Sequence, residues 1–133
     1  MEKTNVKVYF FVWADDFSVE DFTNTLGIKP TRALNKIVIT TETLFRLGTE
    51  WELGTGYEES FDINKQLNFV LGQLEGKEEE LNQLKKKYDL AYRFVIVTNI
   101  ENHETPVMYL DSRFIRFTDS IGAEVEFAQY IYS

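Results

Sequence analysis

Between Asn5 and Ala14 the side chains alternate without a break. Val6, Val8, Phe10, Val12 and Ala14 fall on one side, and Lys7, Tyr9, Phe11 and Trp13 on the other. A period of two belongs to a β-strand, whose successive side chains point to opposite faces of a sheet. Here one face is aliphatic and the other largely aromatic, so the strand predicts a central position with a different environment on each side.

The rest of the chain reads as helices and strands around it. Ser18 with Asp21 three residues later marks a helix start; Val19, Phe22 and Leu26 form its apolar face, and Gly27 followed by Pro30 its end. Residues 31–60 mix strand-like Ile37, Val38 and Ile39 with turn-like stretches, and predict one or two short strands, one of them around Trp51 and Leu53. From Asp62 the spacing of Ile63, Leu67, Val70, Leu71 and Leu74 is helical, and a second helical piece carries Leu81, Leu84 and Tyr88. Its order, Glu78 to Glu80 first and Lys85 to Lys87 last, complements the helix dipole. Residues 90–98 and 106–110 predict two strands of an antiparallel hairpin. Asp111 or Ser112 then caps a helix with Phe114, Phe117 and Ile121 inward and Arg113 and Arg116 outward, and the chain ends in a strand.

This order predicts one domain over residues 1–133, a two-layer α+β sandwich. Its sheet is mostly antiparallel with helices on one face, in the ferredoxin-like manner. Such a sheet leaves the side chains of Tyr9, Phe11, Trp13, Tyr130 and Tyr132 on the face away from the helices. They then form an exposed patch, suited to a partner or a second copy of the chain, or they lie beneath Trp51, Leu53 and the 31–60 segment in a second small core.

Composition narrows the functions available. With 44% hydrophobic and 27% charged residues the chain is of ordinary globular type. It has no cysteine, which excludes disulfides and thiolate chemistry and suits a reducing compartment, so the expected location is cytoplasmic. The N-terminus shows no leader pattern, and no window approaches a membrane span. A net charge of −8 argues against nucleic acid as partner. Lys29, Arg32, Lys36 and Arg46 make a positive stretch, followed by a negative one at Glu50, Glu52, Glu58, Glu59 and Asp62.

No constellation for chemistry emerges. His103 is the single histidine, in a polar loop, so neither a paired-histidine metal site nor a histidine cluster exists. Asp15 with Asp16, Glu50 with Glu52 and Glu124 with Glu126 are carboxylate pairs of the kind common on exposed strand surfaces. The glycines match no phosphate-binding loop. The expectation is no catalytic residue, no metal, no cofactor and, on balance, no enzyme.

One resemblance stands beside this reading. Phe22, Leu26, Gly27, Ile28, Lys29, Pro30, Thr31 and Arg32, then Trp51 and Leu53, then Ile121 to Phe127 and Tyr130, resemble the DUF 4279 family, bacterial domains of unknown function. The resemblance spans nearly the whole chain. It departs at Ala128, where an aspartate is common. It implies a small bacterial cytosolic domain without an assigned reaction, some of whose relatives accompany toxin systems, and hence an immunity or partner-binding role.

The leading expectation is therefore a non-catalytic protein-interaction module. The other is a domain for small molecules or anions, or a weak enzyme, in which Thr31 and Arg32 of the 27–32 turn, with Lys36, hold a carboxylate or phosphate. Across both expectations the candidate binding residues are Tyr9, Phe11, Trp13, Thr31, Arg32, Trp51 and Tyr130.

Overall fold

The long alternating strand, β1 (Asn5–Ala14), sits in the middle of the sheet and three other strands pair with it. The computed structural model describes residues 3–35, 37–38 and 46–132. In chain order β1 is followed by α1 (Val19–Leu26), β2 (Arg32–Leu34), β3 (Ile37–Val38), β4 (Arg46–Leu47), β5 (Thr49–Gly54) and β6 (Glu58–Glu59). Then come α2 (Ile63–Leu74), α3 (Glu78–Tyr88), β7 (Ala91–Glu101), α4 (Ser112–Ser120) and β8 (Glu124–Tyr132). The main sheet runs β2-β5-β1-β7-β8, with β6 on one end of β1, while β3 and β4 pair separately. All its pairings are antiparallel except β7 with β8. The domain is thus an α+β sandwich with a mixed, mostly antiparallel sheet.

The aliphatic face of β1 carries the core. Val6, Val8, Phe10 and Val12 are fully buried, and all four helices bring apolar side chains to that same cluster: Phe22 and Leu26, Leu67 and Leu71, Leu81 and Leu84, Phe114 and Phe117. At its centre Phe10 meets Phe94 of β7 at 4.9 Å between ring centroids, and Phe94 meets Phe114 of α4 at the same distance. Such tilted and edge-on pairs add to the area that each ring buries.

Helix ends fall where their capping residues are. Ser18 accepts from the Asp21 amide, Asp62 from that of Asn64 and Asp111 from that of Phe114, so Asp111 rather than Ser112 is the cap of α4. Gly27 ends α1 with φ +70°, a left-handed conformation that costs glycine nothing. The Lys85 ammonium, in the last turn of α3, donates to the carbonyls of Ile121 and Gly122 just beyond α4 at 3.1 and 3.0 Å, tying two helix ends together.

The expected hairpin of residues 90–98 with 106–110 does not form. Residues 106–110 form no strand; at an isolated bridge the Val107 amide donates to the Phe61 carbonyl, and the Val107 carbonyl accepts from Ile63, at the start of α2. The place beside β7 goes to β8, in parallel register from Arg93 opposite Glu124 to Glu101 opposite Tyr132. β7-α4-β8 is consequently a βαβ unit with adjacent strands, where the ferredoxin-like pattern keeps its parallel strands apart. A two-residue hairpin turn was never available, because the loop after β7 is long and polar; α4, with its own cap, is what returns the chain.

α1 is held to α3 by a polar cluster at the surface. Asp21 accepts from the Tyr88 hydroxyl at 2.6 Å and from Lys87 at 2.9 Å, and these bonds, the tyrosine's first, hold its carboxyl below the usual range. A lowered folded-state pKa contributes stability above the unfolded value, which is lost as pH falls through the folded one. Asp21→Asn should therefore flatten the loss of stability below about pH 4, read as the midpoint of urea unfolding against pH. Phe94→Ala, in the middle of the ring cluster, should cost about 3–5 kcal/mol in the same measurement at neutral pH.

Candidate functional site: the uncovered face of the sheet

Partners in register present their side chains to the same face, so the second face of β1 gathers neighbours from the whole sheet. Tyr9 stands opposite Gly54 and Val95, Phe11 opposite Glu52 and Arg93, and Trp13 opposite Glu50 and Ala91. Beyond β7 come Glu124, Glu126, Ala128, Tyr130 and Tyr132 of β8. The helices supply the core on the other side. Here Tyr9 and Phe11 are half-buried, while Trp13, Tyr130 and Tyr132 are exposed at 44%, 53% and 49%.

The rings lie across the sheet. Tyr9 and Phe11 pack edge to face at 6.4 Å, and the Lys7 ammonium stands over both Tyr9 and Tyr57 at 5.2 and 5.3 Å from the ring centroids. Val95 and Val97, which point to this open side, are nonetheless buried at 4% and 7% exposure. The phenol of Tyr9 is raised above its ordinary value, first by burial and then by the carboxylates of Glu52 and Glu126. Gly54 makes room for it: a Cβ there would fall on the Tyr9 Cβ and lie 2.6 Å from the Val8 carbonyl oxygen. Trp13 rests against Gly48 in a similar way.

Of the expected alternatives, cover by Trp51 and Leu53 does not occur. Trp51 and Leu53 are buried in the main core on the helix face, where the Trp51 indole donates to the Thr23 hydroxyl at 3.0 Å. Trp51 is thus separated from the other candidate residues by the thickness of the sheet. Strand parity explains it, because Val12, an inward residue of β1, is its partner in register. The 31–60 segment contributes Gly48 and Tyr57 to the open face instead. Tyr57 and Lys7 were missed as candidates, Tyr57 because it lies in a turn-like stretch with no period to assign it to a face.

The 27–32 turn is engaged with β5. The Thr31 amide and hydroxyl both donate to the Glu52 carbonyl, at 2.8 and 3.2 Å. The Arg32 guanidinium lies 3.3 Å from Glu52 and 3.6 Å from Glu50, so one cation of the positive stretch meets two carboxylates of the negative one across β2 and β5. Lys36, the third group of the expected anion site, lies outside the described residues. Arg93 similarly meets Glu126 at 3.4 Å. His103 is exposed in the connection after β7, and among the described residues no cluster of His, Asp or Glu is arranged to hold a metal ion. A recess of about 170 Å³ opens among Phe11, Trp13, Arg93 and Glu124. It is smaller than the roughly 300–1,000 Å³ of small-molecule sites.

Fold and face together define a class: a two-layer α+β domain whose sheet is covered on one side and presents aromatic rings among paired charges on the other. The chain belongs to the family described as domain of unknown function DUF4279, whose model matches residues 3–132. No curated protein and no solved structure matches it. Among the described residues no helix is long and apolar enough to cross a membrane.

If Glu52 contributes to the environment of Tyr9 as its position requires, Glu52→Gln should bring the Tyr9 phenol down toward its ordinary value. Carbon-13 labelling of the tyrosine ring, followed by NMR through alkaline pH, would read this directly. An unmoved Tyr9 titration would show that the ring does not lie against that carboxylate.

Proposed function

We propose that this domain is a non-catalytic protein-interaction module, of the kind immunity proteins represent, which meets a basic partner surface through the uncovered sheet face. One observation carries the reading: half-buried Tyr9 and Phe11 and exposed Trp13 and Tyr130 share a face that the helices leave open. Tyrosine and tryptophan bury much area for few rotatable bonds, which is why they dominate interface energetics. Glu50, Glu52, Glu124 and Glu126 border the rings, and the chain carries a net charge of −8. That field speeds encounter with a basic surface and selects against acidic ones.

The engagement of Thr31 and Arg32 with β5 weighs against the 27–32 turn as a separate anion site. An anion there would have to displace two carboxylates from one guanidinium. Binding on the open face requires no such exchange.

The test is capture from a lysate of the source organism at low salt, with three baits. The wild-type chain should retain a basic protein in stoichiometric amount, and so should Ile115→Ala, altered at an exposed residue of α4. Trp13→Ala with Tyr130→Ala should lose it, since truncating an interface aromatic costs about 2 kcal/mol or more where it is a hot spot. Equal capture by all three baits, or no stoichiometric partner for any, would overturn the proposal.

A further inference from the structure

The two edges of the main sheet are finished differently. β2 is three residues long and carries Arg32, held by ion pairs. β8 is nine residues long, and among the described residues it pairs only with β7, leaving its outer edge unpaired. Such an edge offers a row of amides and carbonyls to any passing strand, and proteins blunt it with lysine, proline, a bulge or shortness. β8 (EVEFAQYIY) has neither lysine nor proline, and its register with β7 advances one residue for one throughout. Its charges, Glu124 and Glu126, lie in its first half, and apart from these and Gln129 its exposed side chains are apolar or aromatic, on both faces. Phe127 and Ile131, on the helix side, are 47% and 70% exposed, and Tyr130 and Tyr132 stand on the open side.

We propose that β8 pairs antiparallel with β8 of a second copy of this chain, about a two-fold axis through Ala128, so that the two sheets become one. A two-fold normal to the sheet keeps each face on its own side, so even-numbered residues meet even-numbered ones. Centring on Ala128 brings all nine residues into register. Glu124 then stands opposite Tyr132, Glu126 opposite Tyr130, Val125 opposite Ile131, and Phe127 opposite Gln129. The acids of β8 lie in its first half and the tyrosines in its second, so each carboxylate faces a phenol that can donate to it. A register centred on Val125 would instead set Glu124 against Glu126 twice, a like-charge contact that opposes pairing.

This self-complementarity is what selects a second copy over a foreign strand. The net charge of each copy does not forbid it, because repulsion between distant surface charges is screened beyond about 8 Å at physiological ionic strength. The pairing leaves Tyr9, Phe11 and Trp13 uncovered and does not rest on their having a partner.

The absence of cysteine makes the register directly testable. Residues facing each other in an antiparallel pair have Cα atoms about 4.5–5.5 Å apart, within disulfide range. Under mild oxidation Ala128→Cys should yield a covalent dimer. Glu124→Cys alone should not, since its two copies would lie about 27 Å apart at the strand rise per residue. Glu124→Cys mixed with Tyr132→Cys should cross-link heterologously. Sedimentation of the unmodified protein should give twice the monomer mass, returning to the monomer in Ala128→Glu, which sets two carboxylates face to face, with its circular dichroism unchanged. A monomer at every concentration would overturn the proposal. So would cross-linking of Ala128→Cys no faster than that of Glu124→Cys alone, and this outcome would leave the open-face reading untouched.

Discussion

The whole fold is registered on β1, because that strand must satisfy two faces at once. Its inward residues accept side chains from all four helices, and its backbone pairs with β5, β6 and β7. Once Val6, Val8, Phe10 and Val12 face the helices, strand parity commits Tyr9, Phe11 and Trp13 to the other side. It also commits Trp51 of β5 and Phe94 of β7, their inward neighbours, to the core. A one-residue slip of β1 would exchange the two sets and expose the aliphatic row. Aromatic exposure on the open face is therefore a consequence of how the core is built.

The elements with a strong period were legible in the residues. β1, α1 with its Ser18 cap and Gly27 stop, α2, α3, α4 and the terminal strand all fall where spacing and capping place them. Pairing was less legible, since periodicity says which face a residue occupies but not which strand lies beside it. The segment 106–110 reads as a strand from its apolar residues, but it is none; Val107 alone bridges, to Phe61 and Ile63 rather than to β7. β8 reads equally well as a neighbour of any strand. Only the length of α4 and its loop, which can span a sheet's height, favours a parallel return beside β7.

Of the candidate residues, Tyr9, Phe11, Trp13, Arg32 and Tyr130 share the open face because each can be assigned by parity or by register with Glu52. Trp51 carried no sign of its side, since Glu50, Trp51, Glu52 and Leu53 alternate without saying which neighbour fixes the phase. The alternation does carry the answer once β5 is paired with β1: glutamates outward, Trp51 and Leu53 inward. Burial of Val95 and Val97 on the nominally open side is beyond sequence reading altogether. Val95 lies between Tyr9 and Glu126, and Val97 between Lys7 and Ala128, a flanking that only the strand order reveals.

The perturbed groups among the described residues are shifted in one sense. A catalytic acid or base generally sits where burial and a specific partner move its pKa toward the working pH. The most strongly shifted side chain here is Tyr92, pushed up by burial in the core with its hydroxyl donating to the Leu81 carbonyl at 2.7 Å. It is moved away from neutrality, and its hydroxyl is engaged by the backbone of α3. Tyr9 is shifted in the same direction, so its phenol stays protonated and available as a donor. Asp21 and Glu75 are shifted down by the groups that pair with them, which fixes them as carboxylates. Each shift strengthens the protonation state that the group already has at neutral pH. On the interaction reading proposed above, charges and donors fixed in this way would present a constant pattern to a partner.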